Sequence, residues 1–194
     1  MMKTIDSHLK VGDKVSSFFA VATKGRISFP YDYKGHWIAL MVNPMDVVRT
    51  DEQKAGFVKA LVALESKNCQ VVCLSSRGMT RDLEWQRSLC GFVHDATQHP
   101  IIDKMPVIND SGLAIARQIH IIGIDDSQQP NPLVYYIDPE CVLRSVKEYV
   151  PNDMMSACSE TLAHLQIDHM NGRLSQRRHI SLEQPIDNIC CWYF

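Results

Sequence analysis

The sequence predicts an α/β fold with a central mixed sheet flanked by helices, and three observations carry that expectation. Short apolar runs rich in Val, Ile and Leu alternate with segments of helical periodicity. Two pairs of strand-like runs are joined by tight turns, which demands antiparallel pairing in a chain whose other strands are separated by helices. No apolar run is longer than a buried strand or helix face requires, and at 194 residues the chain can bury one good core with a short extension.

The elements follow in order. Phe18 to Thr23 and Arg26 to Phe29 read as a hairpin turned at Lys24 and Gly25, where glycine supplies backbone freedom. Trp37 to Val42 is apolar at every position, as suits a central strand covered on both faces. From Asp51 to Lys67, Phe57, Ala60, Leu61 and Leu64 recur at the three-and-four spacing of a helix with one buried face, and Asn68 ends it. Gln70 to Ser75 is a second buried strand. Thr80 to Leu89 is a helix with Thr80 as its cap and Leu83, Trp85 and Leu89 available for burial. Ile101–Ile102 and Pro106–Val107 read as short extended pieces, and Ser111 opens a helix over Leu113, Ala114, Ala116 and Ile119. Leu133 to Ile137 is a strand that Asp138, Pro139 and Glu140 turn into Val142 to Val146, a second hairpin; Met154 to Gln166 closes the fold as a helix.

Beyond His169 the chain becomes polar and locally basic through Arg173, Arg177, Arg178 and His179. The expected division is a domain over 1–169 and an extension over 170–194, with the basic stretch a solvated arm more than a phosphate or RNA site. The last five residues, Cys190, Cys191, Trp192, Tyr193 and Phe194, are apolar or aromatic and are expected to dock on their own chain or on a partner, because exposing them to water is unfavourable.

Composition narrows the function classes. Twenty basic against 22 acidic side chains give a formal charge of -2, so no whole-chain field draws in nucleic acid or an anionic membrane. The charges of Lys3, Asp6, His8, Lys10 and Asp13 interrupt any apolar secretory segment, and no run approaches a membrane span. A cytoplasmic location is the expectation. Seven cysteines form an odd number without a CxxC pair; Cys69, Cys73, Cys90 and Cys141 sit in apolar stretches, as buried thiols of a reducing compartment do. No phosphate-binding or dinucleotide-binding glycine pattern occurs. The eight histidines are scattered, and His164 and His169, five apart, fall on different helix faces, so neither a cofactor nor a metal is expected.

Several phrases together resemble the peroxiredoxins, thioredoxin-fold enzymes that reduce hydroperoxides with a cysteine thiolate. Val11-Gly12-Asp13 resembles the family's opening Val/Ile-Gly-Asp, and Tyr33-Lys34-Gly35-His36-Trp37 its Tyr-Lys-Gly-Lys-Trp. Asn43-Pro44-Met45-Asp46 stands where the family leads into Pro-x-x-x-Thr-x-x-Cys. Val71 to Ser75 followed by Trp85 resembles the strand and helix around Ser-His-x-x-Trp, and Pro100-Ile101-Ile102-Asp103 the Pro-Ile-Ile/Leu-x-Asp stretch. Ile137-Asp138-Pro139-Glu140 with Val142-Leu143-Arg144 resembles Ile-Asp-Pro-x-Gly-x-Ile/Leu-Arg, with Cys141 replacing the glycine. The match runs from Val11 to about Gln166, and the extension after it resembles the C-terminal arm of the larger dimeric members. The resemblance implies a thioredoxin-like (peroxiredoxin) α/β fold with a C-terminal arm, and a homodimer or larger assembly.

It also implies four site positions, of which one is kept. Counting from Pro44, the family's peroxide-binding threonine falls at Val48, its attacking cysteine at Asp51, and its arginine at Pro132. An aspartate at a helix start replaces the thiolate's charge and suits a cap. It cannot reduce a peroxide, since a carboxylate has no two-electron oxidation like that of thiolate to sulfenate. No cysteine precedes Cys69. The sequence therefore points to a scaffold that has lost peroxidase chemistry and binds an unidentified protein or small-molecule partner. Two alternatives stay open: a divergent thiol-dependent oxidoreductase using Cys73 or the Cys190 and Cys191 pair, and a hydrolytic or lyase site built around Asp51 with Arg49 or a histidine.

Overall fold

The computed structural model describes residues 8–92, 99–122 and 128–182, with residues 99–100 and 173–182 described for their backbone alone. Its strands are β1 (Phe18–Ala22), β2 (Gly25–Phe29), β3 (Trp37–Val42), β4 (Cys69–Ser75), β5 (Val107–Asn109), β6 (Leu133–Ile137) and β7 (Leu143–Glu148). The helices are α1 (Asp51–Glu65), α2 (Met79–Leu89), α3 (His99–Lys104), α4 (Ala114–Gln118) and α5 (Met154–Leu182). The strands form one mixed sheet in the order β2-β1-β5-β4-β3-β6-β7. Both hairpins are antiparallel, with Ala22 opposite Gly25 and Ile137 opposite Leu143, while β4 runs parallel to β3 and to β5.

Burial explains why the central strands carry no alternation. Every residue of β3 is buried, because the sheet separates two apolar layers. Ala39 and Met41 face a core with Phe57, Leu61 and Leu64 of α1 and Leu162 of α5, while Ile38, Leu40 and Val42 face Phe18, Phe29, Ala116 and Ile119. The period-2 geometry of a strand assigns these sets to opposite faces. Helix α1 buries Phe57, Val58, Ala60, Leu61 and Leu64 as its spacing predicts, and Asn68 beyond it takes the left-handed conformation (φ 57°).

Five local expectations give way to tertiary contacts. Helix α2 starts at Met79 behind Gly78, with no side-chain cap, so Thr80 lies within it. Its buried face carries Asp82, Gln86 and Leu89, with Leu83 and Trp85 only half-buried. Gln86 is drawn in because Nε2 donates to the carbonyls of Ile102 (2.8 Å) and Met105 (2.7 Å), which would otherwise lie buried without partners. Ile101 and Ile102 belong to helix α3. Helix α4 starts at Ala114, later than Ser111; the Asp110 carboxylate accepts from the N–H groups of Ile115 and Ala116, the capping that a serine at its start would have supplied. Helix α5 continues past Gln166 to Leu182 through Gly172, whose helix penalty of about 1 kcal/mol is small against the strong helix formers around it. None of the described helices is long and apolar enough to cross a membrane.

Candidate functional site

Strands β3 and β4 are parallel neighbours, so their carboxyl ends lie side by side, the position where open α/β sheets bind ligands. At that end β3 leaves Val42 into Asn43, which adopts a left-handed conformation (φ 45°) and starts a single 3-10 turn over Pro44–Asp46. Asn43 is fully buried. Its Nδ2 donates to the carbonyl of Pro130 (3.0 Å), and its Oδ1 accepts from the Ser76 N–H (3.0 Å) and hydroxyl (3.1 Å). One amide thus ties together the exits of β3 and β4 and the approach to β6. Arg77 pairs with Asp46 across the same two exits.

Ser75, at the end of β4, donates its hydroxyl to Asp82 Oδ1 (2.6 Å) and accepts from the Arg77 N–H (3.2 Å). Asp82 is fully buried and its Oδ2 has no hydrogen-bond partner among the described residues. Burial raises its pKa, against smaller lowering effects from the Ser75 hydroxyl and the Arg77 charge, so the folded chain holds a proton there more tightly than the unfolded one. Sequence reading missed Ser75, Arg77 and Asp82 as one cluster. The available signal was the polar residues Asn43 and Asp46 and the run Ser75 to Arg77, each at the end of a buried apolar strand.

The four family-site positions come to this end of the sheet, but they do not converge as reactive groups. Pro44 is buried in the 3-10 turn. Val48 is 1% exposed and belongs to the core with Phe57; its carbonyl accepts from Trp85 Nε1 (3.3 Å). Pro132 directly precedes β6, whose Val134 pairs with Met41 of β3, and its ring offers no donor. The side chain of Asp51 is 86% exposed, with Lys54 Nζ 3.9 Å from its Oδ1.

Asp51 is not the cap that its charge suggests. Thr50 occupies that position with extended backbone, accepting from the Gln53 N–H (3.2 Å) while Gln53 Oε1 accepts from the Thr50 N–H (3.1 Å), a reciprocal capping box. Asp51 is the first helical residue and acts only through its charge near the positive end of the helix. Thr50→Ala should therefore cost about 1 kcal/mol in urea unfolding, and Asp51→Asn no more than about 0.5 kcal/mol. A larger loss from the Asp51 variant would reassign the cap.

The cysteines of the described region are free: Cys69, Cys73, Cys90, Cys141 and Cys158. Cys73 is fully buried in β4, its thiol 3.6 Å from Met105 Sδ, and burial, with the nearby Asp82 carboxylate, pushes its pKa far up. Burial likewise pushes up the thiols of Cys69, Cys141 and Cys158. Cys190, Cys191 and the rest of the aromatic tail lie outside the described residues, as do the side chains of Arg173, Arg177, Arg178 and His179. His169 does not pair with His164; it meets Asp138 and Glu140 instead.

No protein-family model matches the chain. A curated peroxiredoxin of Methanosarcina mazei is 30% identical over 142 residues, covering 72% of this chain and 64% of the relative. A peroxiredoxin of Archaeoglobus fulgidus is 26% identical over 167 residues, covering 84% of this chain and 74% of the relative. Among solved structures, a yeast mitochondrial 1-Cys peroxiredoxin matches with a TM-score of 0.66 at 19% identity, covering 84% of this chain and 79% of that one. A cysteine-to-serine mutant of peroxiredoxin 6 from Arenicola marina matches with a TM-score of 0.58 at 20% identity, covering 81% of this chain and 72% of that one. The chain thus spans less than two thirds of the first relative's length, but the similarity covers most of its own residues: the chain is related in sequence to the peroxiredoxins and has their fold.

Proposed function

We propose that this chain is a peroxiredoxin that has lost thiol peroxidase chemistry at the family's site and works as a binding or interaction protein. The observation that carries the reading is Asp51, a solvent-exposed carboxylate where the resemblance places the attacking thiol, in a chain whose first cysteine is Cys69. Val48 and Pro132 supply neither the hydroxyl nor the guanidinium that such a reaction uses. The thiols nearest in sequence are no substitute: Cys69 and Cys73 are buried, and burial holds them protonated, whereas attack on a peroxide needs the thiolate.

The scaffold in this reading covers residues 1–169, with 170–194 as an arm, and it assembles as a homodimer or larger oligomer or binds another protein or a small molecule. The exposed apolar side chains of Phe19 and Val21, two apart and so on one face of β1, support a contact role. The five free cysteines of the described region support a reducing, cytoplasmic setting. The test is peroxide consumption by the purified full chain with a thiol reductant, using hydrogen peroxide and an organic hydroperoxide. Consumption no faster than that of reductant alone is expected. Turnover abolished by substituting one cysteine would sink the proposal, and loss in C190S or C191S would assign the chemistry to the tail.

A further inference from the structure

At the end of the sheet where β3 begins, opposite the carboxyl ends of β3 and β4, the turn between β6 and β7 meets helix α5. The turn is built around Asp138, whose Oδ1 accepts from the N–H groups of Glu140 and Val142 (both 2.9 Å) and whose Oδ2 accepts from Arg144 Nε (2.6 Å). Against it α5 presents His169, its ring edge-on to Trp37 with centroids 5.5 Å apart. Nδ1 lies 3.7 Å from Asp138 Oδ2, and Nε2 lies 3.2 Å from Glu140 Oε2.

The second contact is unusual. Nε2 is buried and has no hydrogen-bond partner among the described residues, although a carboxylate oxygen stands 3.2 Å away, so that oxygen lies off the line on which a ring N–H could donate. Two atoms that close but not hydrogen-bonded fit a pair of ligands on one cation. With bonds of about 2.0–2.2 Å to nitrogen and oxygen, ligand atoms at angles between a right angle and the tetrahedral value stand roughly 2.8–3.6 Å apart. One donor atom from each of Asp138, Glu140 and His169 lies within 4.8 Å of the others. A cleft of about 530 Å³ adjoins them, lined by Glu140, Arg144, Asp168 and His169, with room for water to complete a coordination shell.

We propose that Asp138, Glu140 and His169 form a site for a divalent first-row transition metal ion, which clamps α5 to the β6–β7 turn. Asp138 is the fixed arm, held by two backbone N–H groups and Arg144. Glu140, half-exposed, is the arm that swings in. One imidazole with two carboxylates selects zinc, manganese or iron(II) over magnesium and calcium, which take oxygen ligands alone.

The test is calorimetric titration of the full chain with Zn²⁺ and separately with Mg²⁺. One Zn²⁺ per chain is expected, with no matching Mg²⁺ binding, and with affinity kept in a C190S/C191S variant that removes the two tail thiols. His169→Ala and Glu140→Gln should each weaken Zn²⁺ binding at least tenfold, and the partly exposed Glu140 position keeps the second variant folded. Absence of saturable Zn²⁺ binding overturns the site, as does Zn²⁺ binding that both substitutions leave unchanged or that the C190S/C191S variant loses.

Discussion

Placing a cysteine at position 51 should not create a peroxidase. Asp51→Cys puts a thiol in the first turn of α1, where the helix end favours its ionised form, yet its rate with hydrogen peroxide should stay within about tenfold of a free thiol at equal thiolate fraction. Preorganised donors aimed at the developing charge are each worth roughly a factor of 10²–10³, and both the threonine and arginine positions lack one here. The two losses together amount to about four to six orders of magnitude. Nor is the site vacant for their return, since Val48 is part of the core under Phe57 and a threonine there would place a hydroxyl among apolar side chains. Stopped-flow peroxide consumption compares the variant with a small-molecule thiol; a rate a thousandfold above that thiol would show that Asn43, Arg77 and their neighbours suffice as a catalytic shell.

Asp138→Ala should be the most damaging single substitution at the sheet's other end, costing about 2–4 kcal/mol, because it strands two turn N–H groups and removes the partner of Arg144. Arg144 is 41% exposed in its side chain, so water recovers its charge and the loss comes mainly from the backbone donors. Asp138→Asn keeps an oxygen for those two N–H groups and should recover more than half the loss. Urea unfolding midpoints measure both. An alanine variant within about 0.5 kcal/mol of the parent would mean that the turn satisfies its N–H groups without the carboxylate. The turn has little slack otherwise, for Cys141, where the family phrase has glycine, sits at φ 66°.

Much of the fold was legible because the signals are local. The uniform apolar runs of β3 and β4, the spacing of Phe57, Ala60, Leu61 and Leu64, and the two hairpins are each written within a few residues. Where reading failed, a residue distant in sequence supplied the decisive partner. Gln86 is buried because two carbonyls sixteen and nineteen residues later need a donor. Thr80 lost the cap of α2 because the helix begins one residue earlier, behind Gly78 at φ 97°. At α1 the charge of Asp51 was legible, but the cap went to Thr50, whose side chain can be answered by Gln53 three residues on.

The sequence by itself determined the likeness to the peroxiredoxins, the order of its elements apart from α3, and the absence of a cysteine, hydroxyl and guanidinium at positions 51, 48 and 132, because residue identity and spacing are enough for each. Only the tertiary structure decided that Asp51 stands in solvent while Val48 is packed, that Asn43 bridges the exits of two strands, and that Asp138, Glu140 and His169 meet. Those facts depend on which strand ends lie side by side and on which face α5 lays against the sheet. Burial and long-range pairing set both, and neither is written in any short stretch of chain.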